Sequence, residues 1–241
     1  MKTVSMVKYE LQIYFKGSSF IMPLVVTACY LYIMYSMKPL FVLSGYLLSG
    51  IFLFFLMVWI AMTAVQREDE VMEQILYLKM NSAGKYYLGK ALFLICIALL
   101  YVILCIFFPV FQNAVNGGDM FIRKITGADL LNAFVILTGS AICGSCTGNL
   151  LHSRVMKDRR LAFILTVLIC IMAIVQTSVI RKVPVLKFIM WIFPPVMLPS
   201  QIYRNADFFD VRHSVSLFLI FFLYALCYAV IKSILCYRNR F

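Results

Sequence analysis

The sequence predicts an all-α polytopic membrane protein with six transmembrane helices, and three observations carry that prediction. Of 241 residues, 63% are apolar and 13% are charged, against roughly 45–50% and about 25% in an ordinary globular domain. Mean hydropathy is +0.94. The apolar residues gather in six runs close to the length, about 20 residues, that crosses a bilayer. This composition excludes a disordered, charge-rich chain. No stretch between the runs is long enough to fold as a soluble domain, so residues 1–241 read as one transmembrane domain.

The chain opens on an amphipathic helix within residues 1–17. Val4, Val7, Leu11 and Phe15 recur at near-helical spacing, with Lys8, Glu10 and Lys16 between them and Ile13 off the stripe. A helix of this kind lies in the membrane interface. No small-residue cleavage pattern follows it, so no cleavable signal peptide is expected. The first span runs from Ser18 to Ser36 and the second from Leu40 to Val65. The third covers Tyr87 to Phe111, the fourth Leu130 to Leu151, the fifth Leu161 to Ile180 and the last Val215 to Cys236.

Six spans put both termini on one side. With the termini in the cytoplasm, fourteen of the 22 Lys and Arg fall on the cytoplasmic side and eight outside. That is the bias the positive-inside rule selects. The expected location is the cell membrane, multi-pass, with both termini cytoplasmic. The net charge of +12 is therefore read as topology. No nucleic-acid partner is expected, because that would need a continuous basic face.

Residues 185–199, VLKFIMWIFPPVMLP, are too few to span, and Pro194, Pro195 and Pro199 break any helix there. The expectation is an outer re-entrant or interfacial element of two small helices broken at the prolines. Trp191 would sit at the interface. Non-helical backbone at membrane depth requires cover from protein or water.

Weaker signals read as packing. Cys143 and Cys146 form a CxxC, but it lies mid-span with no basic neighbour to lower a thiol pKa. Gly144 and Gly148 form a GxxxG that suits close helix contact. His152 and His213 lie at opposite membrane boundaries and build no metal site. Ser140 and His152 stand about 18 Å apart along one helix, which excludes a serine-protease pair. The spans hold almost no ionisable residues, Lys90 and Asp129 sitting at span ends, which disfavours an ion-coupled carrier.

The most informative polar stretch is QREDEVMEQILYLKMNSAGKYYLGK, Gln66 to Lys90, whose first part, residues 66–86, is cytoplasmic. Glu68, Asp69, Glu70 and Glu73 crowd its start, as suits a helix N-terminus. Val71, Ile75 and Leu78 follow on one stripe, with Leu76 beside them, and Asn81, Ser82 and Gly84 end the helix. An exposed apolar stripe needs a cover. The acids argue against anionic lipid heads and favour a partner's groove.

These residues carry a resemblance. Glu68-Asp69-Glu70, then Glu73-Gln74-Ile75-Leu76, then Gly89-Lys90 resemble the coupling segment of the type-2 ABC exporter permeases. Val71-Met72 stands where Gly-Thr is usual, and Met80-Asn81-Ser82 where a Pro-containing turn is usual. The N-terminal helix, the six spans and Phe193-Pro194-Pro195 are similar to that family's layout.

The resemblance implies a permease subunit rather than an enzyme. It implies an ABC ATP-binding partner, which would hold ATP and Mg, and a second permease copy in a homodimer, set among membrane lipid. It implies that Glu68, Asp69, Glu70, Val71, Glu73, Ile75 and Leu78 form the ATPase-coupling site, and that Trp191, Pro194 and Pro195 belong to the outer element. No cofactor is expected in this chain. Gly84-Lys85 and Gly89-Lys90 lack the Gly-rich turn and hydroxyl of a phosphate-binding loop. The aromatic content and the lack of a charged cavity suit an amphipathic or hydrophobic cargo, and the resemblance implies an antimicrobial or toxin peptide as the best fit. Lipid, drug or glycan export, or a non-transport intramembrane enzyme or scaffold, are the alternatives.

Overall fold

The computed structural model of the chain describes residues 3–67, 70–80, 82–151, 158–204 and 206–238. The chain is 83% helical, with no strand among the described residues. Among the described residues, six helices are long and apolar enough to cross a membrane: Ser18–Ser36, Val42–Val65, Gly84–Val115, Gly127–Gly148, Arg160–Lys182 and Val211–Leu235. The chain is an all-α, multi-pass membrane protein.

In chain order the helices are α1 (Thr3–Lys16), α2 (Ile21–Ser36), α3 (Val42–Arg67), α4 (Glu70–Met80), α5 (Ala83–Val115), α6 (Gly127–Gly148), α7 (Arg159–Lys182), α8 (Lys187–Met190), α9 (Leu198–Ile202) and α10 (Val211–Arg238). Short 3-10 turns at Ser18–Phe20 and Pro184–Leu186 lead into α2 and α8. We call the end holding α1 and α4 the base. The opposite end, which holds the α2–α3, α5–α6 and α9–α10 connections, is the crown.

α6 is the axis of the bundle and packs on α3, α10 and α5. Small residues explain why it sits there. Between helices in lipid there is little hydrophobic drive, so close backbone approach and hydrogen bonds decide association. Gly144 and Gly148 lie against the backbones of Phe54 and Val58 in α3, and Gly139 faces Phe218 and Phe221 of α10. Ser140 Oγ donates to the Gly50 carbonyl across the α3 contact at 2.7 Å. The CxxC belongs to this packing. Cys143 is buried among Phe54, Val58 and Phe221, and no group of metal-binding side chains occurs among the described residues.

Several sequence boundaries shift. The third span begins near Ala83 rather than Tyr87, so Gly84 lies inside α5 instead of ending α4. The last begins at Val211 rather than Val215. α5 is 33 residues long, about 50 Å, so part of it stands outside a hydrocarbon core of about 30 Å.

Candidate functional site

The sequence singles out α4 at the base. Its two faces differ. Leu76 and Met80 are buried in a cluster with Met6 of α1 and Tyr86 of α5, flanked by Tyr9, Tyr77 and Tyr87. Val71, Ile75 and Leu78 point away, at 60%, 49% and 73% exposure. The stripe read from the sequence is therefore the open face, and the helix is fastened by residues one step round it. Glu70 and Glu73 lie within α4; Glu68 and Asp69 lie outside the described residues, as do Asn81 and His152.

α1 completes the base. Met6 and Tyr14 form its buried face. Met6 seats on Gly89, where a Cβ would come within 2.6 Å of the Met6 sulfur. Tyr14 packs edge-on to Phe93 and meets the Tyr101 hydroxyl at 3.4 Å. The stripe Val4, Val7, Leu11, Phe15 is thus only in part the protein-facing side: Leu11 packs against the core, while Val4 is 78% and Phe15 is 45% exposed. Helical periodicity found an apolar face, and α5 took the adjacent one. α4 and α1 thus meet on the base of α5, and Lys90 of α5 sits with its ammonium 4.5 Å from the Tyr86 ring.

The second element is residues 185–199. α8 and α9 are its two short helices, and Pro194 and Pro195 lie buried between them. Three consecutive carbonyls at its turn are held by side chains of the bundle. Gln176 Nε2 of α7 donates to Met190 O at 2.9 Å, Tyr224 of α10 to Trp191 O at 2.6 Å, and Tyr228 to Ile192 O at 2.8 Å. Tyr224 and Tyr228 lie about 20 and 26 Å along α10 from its crown end, and Gln176 about 9 Å along α7 from its own, so the turn folds back below the crown ends of both helices. That geometry meets the requirement that irregular backbone at membrane depth be satisfied by protein. Trp191 itself stays 71% exposed, its ring 6.3 Å from Tyr224.

The crown carries a polar clasp that sequence reasoning missed. Arg123 donates through both terminal nitrogens to Asp129, at 2.6 and 2.8 Å, and through Nε to Asp207 O at 3.1 Å. Its guanidinium lies 4.3 Å from the Phe208 ring. Asp129 also forms a capping box with Thr126 at the start of α6. The hydrogen bonds from Arg123 to Asp129 push the arginine further toward its charged form. Tyr203 joins α9 to α10 by donating to Asp210 O at 2.9 Å and meeting Ser214 Oγ at 2.8 Å. Arg123 and Tyr203 line a crown cleft of about 520 Å³ with Phe41, Arg204 and Asp207.

The Thr126-x-x-Asp129 spacing is a legible capping signal. Nothing local points to Tyr224 and Tyr228, whose partners lie more than thirty residues away in the chain. No protein-family model, curated protein or solved structure matches the chain.

Proposed function

We propose that the chain is the membrane subunit of an ATP-driven exporter of the type-2 ABC class. The observation that carries this reading is α4. It joins two spans, is fastened on one face to α1 and α5, and is uncovered at Val71, Ile75 and Leu78 on the other. A force on the open face passes directly into the helices that hold the buried one.

The reading places the base and both termini in the cytoplasm of a cell-membrane protein. A separate ABC subunit binds ATP and Mg and grips α4. Two permease copies form the path, and motion of α4 and α1 tips α5 and opens it. The residue 185–199 turn stands near the mouth of that path. The cargo is amphipathic or hydrophobic, and a small antimicrobial or toxin peptide fits best. Lipids, drugs and glycans are the competing cargoes, and a non-transport scaffold or enzyme is the competing class.

The test is co-expression of the full chain with a candidate ABC ATPase. Wild type is compared with Val71→Ser/Ile75→Ser/Leu78→Ser and with Glu68→Lys/Asp69→Lys/Glu70→Lys. The serine variant replaces exposed side chains, so the bundle is expected to fold as before. Removing central contacts costs roughly 2 kcal/mol per hot-spot residue, enough to lose the ATPase from the purified complex. If both variants retain ATPase binding and cargo-stimulated hydrolysis at wild-type levels, the coupling assignment fails.

A further inference from the structure

We propose that the corner where α7 turns into α8 is a docking surface for anionic phospholipid in the crown-side leaflet, with Arg181, Lys182 and Lys187 facing the headgroup and Phe188, Trp191 and Ile192 lying against its chains. The surface needs no ATPase and is the same whichever side of the membrane the crown faces, so it stands apart from the transport reading. Its origin is the way α7 leaves the bundle. α7 packs chiefly on its own continuation, the Pro184–Leu186 turn and α8, and the outer side of that corner is left open.

The charge there has one sign. Arg181 and Lys182 stand in the last turn of α7, and Lys187 begins α8. The turn between them is closed by Leu186 N–H donating to Val183 O at 3.1 Å, which keeps the three within roughly 10 Å at about 2 Å of rise per residue. All three are exposed, and no acid among the described residues pairs with any of them. The sequence holds no Asp or Glu between Asp158 and Asp207. Crown acids are engaged elsewhere: Asp129 and Asp207 face Arg123, and Asp210 lies 3.7 Å from His213. The C-terminal end of α7 contributes about half a negative charge, against three positive ones.

Depth decides what meets this charge. The α7 span ends at Lys182, which sets Arg181 and Lys182 at headgroup level. About 9 Å further down α7, Gln176 holds Met190 O, so the chain from Lys187 to Ile192 descends past the headgroups. Val185, Phe188 and Ile192 recur at i, i+3 and i+7 and are exposed, as is Trp191, while Met190 is buried. Side chains exposed at that depth face hydrocarbon. Cations above them attract anionic headgroups, whereas a zwitterionic headgroup brings an ammonium that finds no acid. A second copy of the chain is the other occupant such a face admits. A two-fold contact must be self-complementary, and this patch would set cation against cation.

The experiment uses the full chain in phosphatidylcholine bilayers with Trp59→Phe, which leaves Trp191 as the one tryptophan. Phosphatidylglycerol and phosphatidylcholine with brominated chains, at equal mole fraction, are the probes, and quenching of Trp191 gives their relative affinity for the corner. Phosphatidylglycerol is expected to quench more. Lys187→Gln should lower that preference roughly fivefold, the effect of one cation near an anionic surface, and Lys187→Arg should keep it. Arg181→Gln/Lys182→Gln/Lys187→Gln should abolish it. With Trp191→Phe instead, the same triple change should leave quenching of Trp59 as it was, which separates the corner from the rest of the protein. Equal quenching of Trp191 by the two lipids, or a preference that survives the triple change, overturns the proposal. Quenching by neither lipid overturns it in favour of a protein cover such as a second copy.

Discussion

Adding one methyl group at Gly144 is a direct test of why α6 is the axis of the bundle. A Cβ built there falls 3.0 Å from Phe54 C and Cα and closer still to the Phe54 carbonyl oxygen. The obstacle is backbone, so no rotamer change relieves it, and α3 must back away from α6. A radial gap of about 0.5–1 Å forfeits a quarter to a half of each contact it opens. Overpacking of this kind costs roughly 1–3 kcal/mol. The Ser140–Gly50 bond lies one turn away on the same contact, and stretching it forfeits up to about 0.6 kcal/mol. Alanine's better helix propensity returns about 1 kcal/mol. The expected net loss for Gly144→Ala is roughly 2 kcal/mol, read by denaturant titration in detergent with near-UV circular dichroism. Gly127→Ala, where a Cβ meets nothing within 4 Å, is the control and should stay within about 0.5 kcal/mol of wild type. Equal stability of Gly144→Ala and Gly127→Ala would refute the close-approach argument.

Two further outcomes follow from the crown and the returning turn. Arg123→Ala leaves Asp129 buried without its guanidinium and should destabilise the protein by roughly 3 kcal/mol, measured by thermal unfolding; Arg123→Lys should recover only part, because it loses the two-pronged geometry. Tyr228→Phe deprives Ile192 O of its donor and should cost about 1–3 kcal/mol, with faster thiol labelling of an Ile192→Cys reporter than in the Tyr228 background.

The spans are legible in the sequence because a bilayer imposes one strong rule, and the apolar runs obey it from Ser18 to the end of α10. Their ends are less legible. Helical backbone continues past the apolar run where nothing breaks it, as at Ala83–Tyr86 and Val211–Ser214. The amphipathic stripes are legible, but the faces that pack within the chain are not. Val71, Ile75 and Leu78 share a face of α4, yet Leu76 and Met80 are the ones buried, because the position of α1 and α5 decides which side is covered. α1 shows the same thing, with Met6 and Tyr14 chosen over Val4 and Phe15. The GxxxG was readable since its meaning is steric and local. The contacts of Arg123 with Asp207 and Phe208 and the Tyr224 and Tyr228 bonds are not, because each depends on a loop brought back from another part of the chain.

The central place of α6 has a consequence for the order in which the protein is made. One flank of α6 meets α3 and α5, which precede it in the chain. The other, at Gly139, is closed only by Phe218 and Phe221 of α10, about 80 residues later. At about 5–20 residues per second, that interval lasts roughly 4–16 s. Throughout it, the flank of α6 at Gly139 lacks the helix that covers it in the folded chain. Any chaperone or insertase that shields polar membrane segments has its longest opportunity there. A chain cut before Val211 would keep that flank open for good, so quality control has one late event to monitor, the docking of α10.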